Sequence, residues 1–187
     1  MSETVVRVLT EHDWCVYRTL RLAGLQESPE AFVESYAEEV GCSQEWWRSR
    51  MLRATRFLAE YGDVPRGIAS CRVLPDDPRI AEVFGLWVAP ATRQAGVAWS
   101  LMEAVTALAA TQNRSQLYYW VGTENTRAIA FASNFGFRPS PDRRQARLTR
   151  AGFGTMEMAM VLPVGSDPAA VPNPTMSSFG SLSGPSD

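Results

Sequence analysis

The chain has 187 residues, 45% of them hydrophobic and 20% charged, with a formal net charge of −2. That length and balance suit one soluble domain with a sizeable core. They supply neither a basic field for nucleic acid nor an apolar run of ~18 residues for a membrane span, so neither partner is expected.

The opening MSETVVRVLTEHDW is acidic and mixed and does not read as a signal peptide. Within it, Val5 to Leu9 predicts a first strand. From Glu11 to Leu25 the apolar residues Trp14, Val16, Tyr17, Leu20, Leu22 and Leu25 recur at helical spacing, until Pro29 interrupts them. His12, the single histidine, precedes this helix as a cap or an exposed residue, and a multi-histidine metal site is excluded. A second helical region follows, AFVESYAEEV and then SQEWWRSRML, with Ser43 marking the later start. Trp46 and Trp47 point ~100° apart, so either one lines a groove or both wedge under loops.

ATRFLAEYG and GIASCRVL form a predicted hairpin across GDVPRG, and after PDDP comes a longer strand, Ile80 to Val88. Strand alternation places Glu82, Phe84, Leu86 and Val88 on one face of it. Residues 95–112 read as a helix with Val97, Leu101, Val105 and Leu108 on one stripe. LYYWVG is a strand, NTRAIAFASNFG a short helix stopped at Gly136, and TMEMAMVLPV the last strand. The order β-α-α-β-β-β-α-β-α-β predicts an α/β layered domain with a mixed sheet over residues 1–163. Residues 164–187, rich in Pro, Ser and Gly, are expected to form a disordered tail. Cys15, Cys42 and Cys71 are odd in number and contain no CxxC, which favours reduced thiols in a cytoplasmic protein over a disulfide frame or a zinc site.

The stretch APATRQAGVAWS joins a strand to a helix. The leading amides of a helix have no internal partners and lie at the positive end of its dipole, so an anion binds there readily. Gly96 lets a phosphate approach the backbone, Ala95 and Ala98 keep the way open, and Arg93 adds a forked cation. On spacing alone, a plain helix start is the readier explanation of the stretch. However, Val88, Pro90, Arg93, Gly96 and Ala98 form V-x-P-x-x-R-x-x-G-x-A, followed by Asn125-Thr126-Arg127-Ala128-Ile129 and then Gly136-Phe137. This pair of motifs resembles the acetyl-CoA signature of the GNAT superfamily of N-acetyltransferases, over roughly residues 4–163 and most specifically 82–137.

The resemblance implies a GNAT fold, with a central, mostly antiparallel mixed sheet of about seven strands flanked by about four helices. It implies acetyl-CoA as co-substrate, no metal, and a monomer or homodimer. The pyrophosphate would sit on Arg93, Gln94, Ala95, Gly96, Val97 and Ala98. The pantetheine arm would pair with the backbone of Leu86, Trp87 and Val88, where the strand splays from LYYWVG. Gly85 fits a local bend or a close approach there. Asn125 and Phe131 complete the cofactor side, although Asn125 also serves as a helix cap. Glu82 stands eleven residues before Arg93, where the histone acetyltransferase branch carries its glutamate base. A base helps because an amine of pKa ~10.4 is largely protonated near neutrality. As a strand residue alone, Glu82 is equally an exposed strand-end charge. The family's usual proton donor to the coenzyme A thiolate, a tyrosine seven residues after the motif asparagine, is here Ala132. Ser133, Tyr118, Tyr119 or water are its possible substitutes.

The resemblance places the acceptor between residues 25–51, which carry Glu27, Glu30, Glu34, Glu38, Glu39 and Glu45, and residues 138–152, which carry Arg138, Arg143, Arg144, Arg147 and Arg150. An acidic wall would draw an amine, and a basic segment would dock an acidic surface or anion. Solvated charge explains both as well. The acceptor expectation leans to protein lysine side chains. A small-molecule amine (polyamine, amino acid or antibiotic) and a non-catalytic acetyl-CoA sensor are the alternatives.

Overall fold

The structure, a computed structural model, describes residues 3–29, 32, 34–146 and 156–165. The expected tail from residue 166, together with Glu30, Arg147 and Arg150, lies outside the described residues.

Seven strands form one sheet in the order β1-β2-β3-β4-β5-β7-β6. They are β1 (Thr4–Leu9), β2 (Thr55–Tyr61), β3 (Val64–Val73), β4 (Ile80–Val88), β5 (Gln116–Gly122), β6 (Arg138–Gln145) and β7 (Met156–Pro163). β4 and β5 pair in parallel and every other neighbouring pair is antiparallel. The helices are α1 (Trp14–Glu27), α2 (Tyr36–Glu39), α3 (Gln44–Leu52), α4 (Val97–Thr111) and α5 (Thr126–Phe135).

Two expectations change. Of the helical region expected over 31–40, the described residues hold a single turn, Tyr36–Glu39, because Ser35 caps it through the amide of Glu38 while Glu38 bonds back to Ser35. The stretch after Phe137, expected as a loop, is the edge strand β6. Its Pro139 and Pro141 disguise it, and an edge strand tolerates proline because its outer amides need no ladder partner.

Each face of the sheet carries its own core. One face holds α4 and α5, where Val97, Leu101, Met102, Val105 and Ala109 pack against Phe57, Ala69, Cys71, Val83, Leu117 and Met160. Burial of each larger side chain contributes roughly 1.5–3 kcal/mol. The other face holds α1 and α3, where Tyr17, Leu25, Trp47 and Met51 meet Leu58, Ile68 and Trp87. Trp47 is fully buried there, and Trp46 lies edge-on to it with the Arg50 guanidinium over its ring.

β4 crosses between these cores by way of a bulge. Its register with β3 pairs Val73 with Ala81 and Ser70 with Phe84, then shifts so that Ile68 pairs with Trp87. Gly85 and Leu86 thus oppose the single residue Ala69, and Gly85 takes a left-handed φ of 60°. The extra residue reverses the alternation. Glu82 and Phe84 face the α1 side with Trp87, whereas Leu86 and Val88 pack into the α4 core. The expectation that all four even-numbered side chains share a face fails for this reason.

A methyl group at Gly85 would meet only Ser70 Oγ, at 3.8 Å. Gly85→Ala is therefore expected to cost only the left-handed backbone, about 1–2 kcal/mol, read as a lower urea midpoint. An unchanged midpoint would show that the bulge does not need this conformation.

Candidate functional site

The parallel ladder between β4 and β5 runs from Ile80–Gln116 to Val83–Tyr119 and stops. β4 continues to Val88 and β5 to Gly122, each still paired on its other side. Between them the sheet opens, leaving the β5-facing edge of β4 without ladder partners beyond Val83. Leu86, Trp87 and Val88 lie along this opening.

The loop from β4 to α4 begins with a short turn at Pro90–Thr92. Gln94 and Gly96 adopt φ values of 72° and 83°. Gly96 is the N-cap of α4, and no side chain caps that helix. Nothing lies within 4 Å of a Cβ built on Gly96, and Gln94, Ala95 and Gly96 are exposed. An uncapped helix start with open space before it suits a phosphate group by both its free amides and its dipole.

Arg93 is engaged within the protein. Its Nε donates to the carbonyl of Val88 at 3.1 Å, pinning the loop to the end of β4, and its Nη2 donates to Glu27. Glu27 also accepts from Trp87 Nε1 at 3.1 Å and from the Ser28 hydroxyl. The Arg93 donor foremost, and then Ser28, pull the Glu27 carboxyl from the ordinary 4.5 to about 2.

Glu82 is 1% exposed and sits where the ladder is about to part, opposite Arg72 on β3 and Tyr118 on β5. It is not a strand-end surface charge. Arg72 holds Oε2 at 2.7 Å and Arg144, from β6, reaches Oε1 at 3.2 Å. Arg144 also bonds Glu157 at 2.6 Å and lies over the Trp120 ring at 4.3 Å. Neither arginine was singled out from the sequence as a Glu82 partner. Arg72 is legible in hindsight, because hairpin pairing across the PDDP turn places residue 72 opposite residue 82.

On α5, Asn125 is the N-cap, its side-chain oxygen accepting from the Ala128 amide at 3.0 Å. Phe131 stacks on Phe135, which in turn meets Trp99 in the first turn of α4 at 4.7 Å. Ala132 is fully buried in the α4–α5 core. Burial raises Tyr119 to about 12, and burial together with the nearby Asp142 carboxylate raises Tyr118. Ser133 is exposed.

The expected acidic wall is largely consumed internally. Glu39 takes Arg21 through both oxygens, at 2.9 and 3.1 Å, and also Arg50 at 3.1 Å. Glu34 takes Arg21 at 2.8 Å and Arg50 at 3.8 Å, and Glu27 takes Arg93. Among the described residues, no group of three or more His, Cys, Asp or Glu side chains is placed to hold a metal ion. No described helix is long and apolar enough to cross a membrane.

A sheet that opens beside an uncapped, glycine-led helix defines a class of proteins that offer a free strand edge and an anion-binding helix start side by side, and the sequence comparison names the family. Residues 16–137, more than half of the chain, match the Acetyltransferase (GNAT) family. The chain belongs to that family and is an N-acetyltransferase using acetyl-CoA as co-substrate. No curated protein matches the chain by sequence. A GNAT-family acetyltransferase from Streptococcus pneumoniae shares its fold with a TM-score of 0.71, at 14% identity, over 87% of this chain and all of that one. The yncA protein of Salmonella typhimurium, solved with its cofactor acetyl-CoA, aligns over 90% of this chain and 98% of its own, at 15% identity and a TM-score of 0.67. The ribosomal-protein-S18-alanine N-acetyltransferase of Escherichia coli aligns over 88% and 96%, at 18% identity and a TM-score of 0.65.

The lowered Glu27 value has a definite sign. Folding favours the ionised carboxylate, so its contribution is complete above pH 4.5 and is lost as pH falls toward 2. Glu27→Gln is expected to flatten that part of the stability profile, measured as urea midpoints across the window. An unaltered slope would remove Glu27 as an ion-pair partner of Arg93.

Proposed function

We propose that this N-acetyltransferase moves the acetyl group of acetyl-CoA to a primary amine by direct attack in a ternary complex, with Glu82 as the base and a protein lysine side chain as the acceptor. The observation that carries the reading is the opening between β4 and β5, which has Glu82 at its root and the uncapped start of α4 at its mouth.

The amides of Gln94 and of Gly96 to Ala98 receive the pyrophosphate, while the Ala95 amide is already held by the Thr92 carbonyl at 3.2 Å. Arg93 holds their loop against Val88 and can exchange Glu27 for phosphate. The free backbone edge formed by Leu86, Trp87 and Val88 takes the pantetheine arm, with Phe131 and Asn125 on the α5 side. Acetyl-CoA brings its acetyl group as a thioester. The amine nitrogen forms a bond to the carbonyl carbon, the carbon–sulfur bond breaks, and the amine proton passes to Glu82. Both guanidinium groups on Glu82 are nearly half exposed, and Arg144 holds the longer contact, so Oε1 is the oxygen that becomes free. Ala132 carries no acid, so the departing thiolate takes its proton from another group, and Ser133, Tyr118, Tyr119 and water are the candidates.

The exposed arginines of β6 support a protein acceptor, as do structural relatives named for ribosomal-protein alanine. The three free thiols suit the cytoplasm.

Thiol release from acetyl-CoA over lysine proteins, peptides and small amines tests this reading. Turnover of proteins alone supports it, turnover of small amines alone replaces the acceptor, and binding without turnover makes the chain a sensor. Gly96→Glu is expected to abolish calorimetric acetyl-CoA binding, because a carboxylate at the helix mouth repels phosphate; intact binding would move the pyrophosphate elsewhere. Glu82→Gln is expected to lower kcat by roughly 10²–10⁴-fold with acetyl-CoA affinity little changed. Wild-type rates between pH 6 and 9 would place the base on another residue.

A further inference from the structure

Of the six tryptophans, Trp99 alone is exposed, at 41%, and no other aromatic side chain among the described residues is exposed to that extent. The ring is nevertheless fixed. Its Nε1 donates to Glu103 Oε1 at 3.0 Å, one turn further along α4. Phe135 of α5 meets it at 4.7 Å between centroids, with the planes tilted by 57°. Phe135 is braced in turn by Phe131 at 6.4 Å and by the fully buried Phe137 at 5.9 Å. A single exposed apolar residue needs no explanation. A large ring held by a second helix, backed by further rings and left partly in water, offers a prepared surface for another flat group.

The position of that surface is informative. Trp99 stands three residues past Gly96, the cap of α4, which is ~4.5 Å along the helix axis. Helical Cα–Cβ bonds tilt toward the N-terminus, so a side chain here covers the turn before its own residue, on the side of the uncapped amides. The connectivity of coenzyme A supplies the rest. Its pyrophosphate joins the pantetheine arm at one end to a 3′-phosphorylated adenosine at the other. With the arm running into the sheet along Leu86, Trp87 and Val88, the adenosine leaves the helix mouth outward. A purine has two π faces and stacks readily on an aromatic ring.

We propose that Trp99, backed by Phe135, is the platform on which the adenine of acetyl-CoA stacks. This rests on the reading of the α4 start as the pyrophosphate cradle. The backbone amides there accept any phosphate, whereas a stacking ring favours only a ligand that carries a base. Trp99 is therefore a specificity residue, selecting coenzyme A thioesters over phosphopantetheine thioesters that lack the nucleoside.

Calorimetry on the full chain, with no acceptor present, tests this with acetyl-CoA and acetyl-4′-phosphopantetheine. Trp99→Ala is expected to weaken acetyl-CoA binding roughly 5- to 100-fold and to leave the truncated thioester unaffected. Adenosine 3′,5′-bisphosphate, which carries the base without the arm, is expected to weaken by the same factor. Trp99→Phe, which keeps a ring against Phe135, is expected to recover most of the loss. Comparing ligands on one variant cancels any loss of folded protein, which the urea midpoint reports separately. A ratio of the two thioester affinities that Trp99→Ala leaves at its wild-type value overturns the proposal, whether both ligands weaken together or neither does. Undiminished binding of adenosine 3′,5′-bisphosphate overturns it as well. Wild-type acetyl-CoA affinity in Gly96→Glu refutes the cradle instead, and the placement of the adenine falls with it.

Discussion

A parallel strand pair that stays hydrogen-bonded for only four residues governs this molecule. An unpaired strand edge is ordinarily a liability, since its free amides and carbonyls invite another chain. β4 is kept from drifting back to β5 by what happens on its faces. The bulge at Gly85 sends Leu86 and Val88 into the α4 core while Trp87 packs among Tyr17, Leu25 and Ile68 on the opposite side. The indole nitrogen of Trp87 then bonds Glu27 at the end of α1, and Glu27 holds Arg93 of the loop that leads into α4. The open edge is therefore braced by both cores and by one carboxylate that reports to the helix mouth.

Arginine suits this arrangement better than lysine would. Arg21 grips both oxygens of Glu39 and still reaches Glu34, and Arg144 spans Glu82 and Glu157 while covering an indole. A lysine ammonium is a point charge and cannot present separate donors in a plane to two carboxylates and a ring. The balanced group under α1 and α3 fixes the helices on the sheet, and because its charges cancel it adds little net field to the neighbouring face.

What the sequence disclosed follows from how local each determinant is. The strands with β-branched and apolar alternation were legible, and so was α4, because its stripe repeats at helical spacing. β6 was not, since its prolines and arginines are what an edge strand tolerates and what a loop contains. The helix mouth was legible because the backbone at Gly96 makes a local demand on residue type. The faces of β4 were misassigned past Gly85 because a single inserted residue inverts alternation without altering composition. Arg72 lay within reach of hairpin arithmetic, ten residues from Glu82. Arg144, 62 residues from Glu82, and Glu27, 66 residues from Arg93, meet their partners only through tertiary packing.

Ala132 shows how far a departure from a family pattern can reach. The alanine is fully buried and belongs to the same cluster as Val121, Phe137 and Met160, so α5 is seated on the sheet at this point. A phenol there would have to displace that packing, and overpacking a core typically costs about 1–3 kcal/mol. The loss of the usual donor is thus built into how α5 docks and is not an isolated side-chain change. Chemistry tolerates the loss at this step better than at most others. With a thiol's pKa near ~8.5 as a guide, the coenzyme A sulfur leaves as a reasonably stable anion. A missing general acid weighs most on leaving groups that cannot bear negative charge. The proton that matters more is the one on the acceptor amine, and the base proposed for it, Glu82, is the buried carboxylate nearest the opening, held by two guanidinium groups.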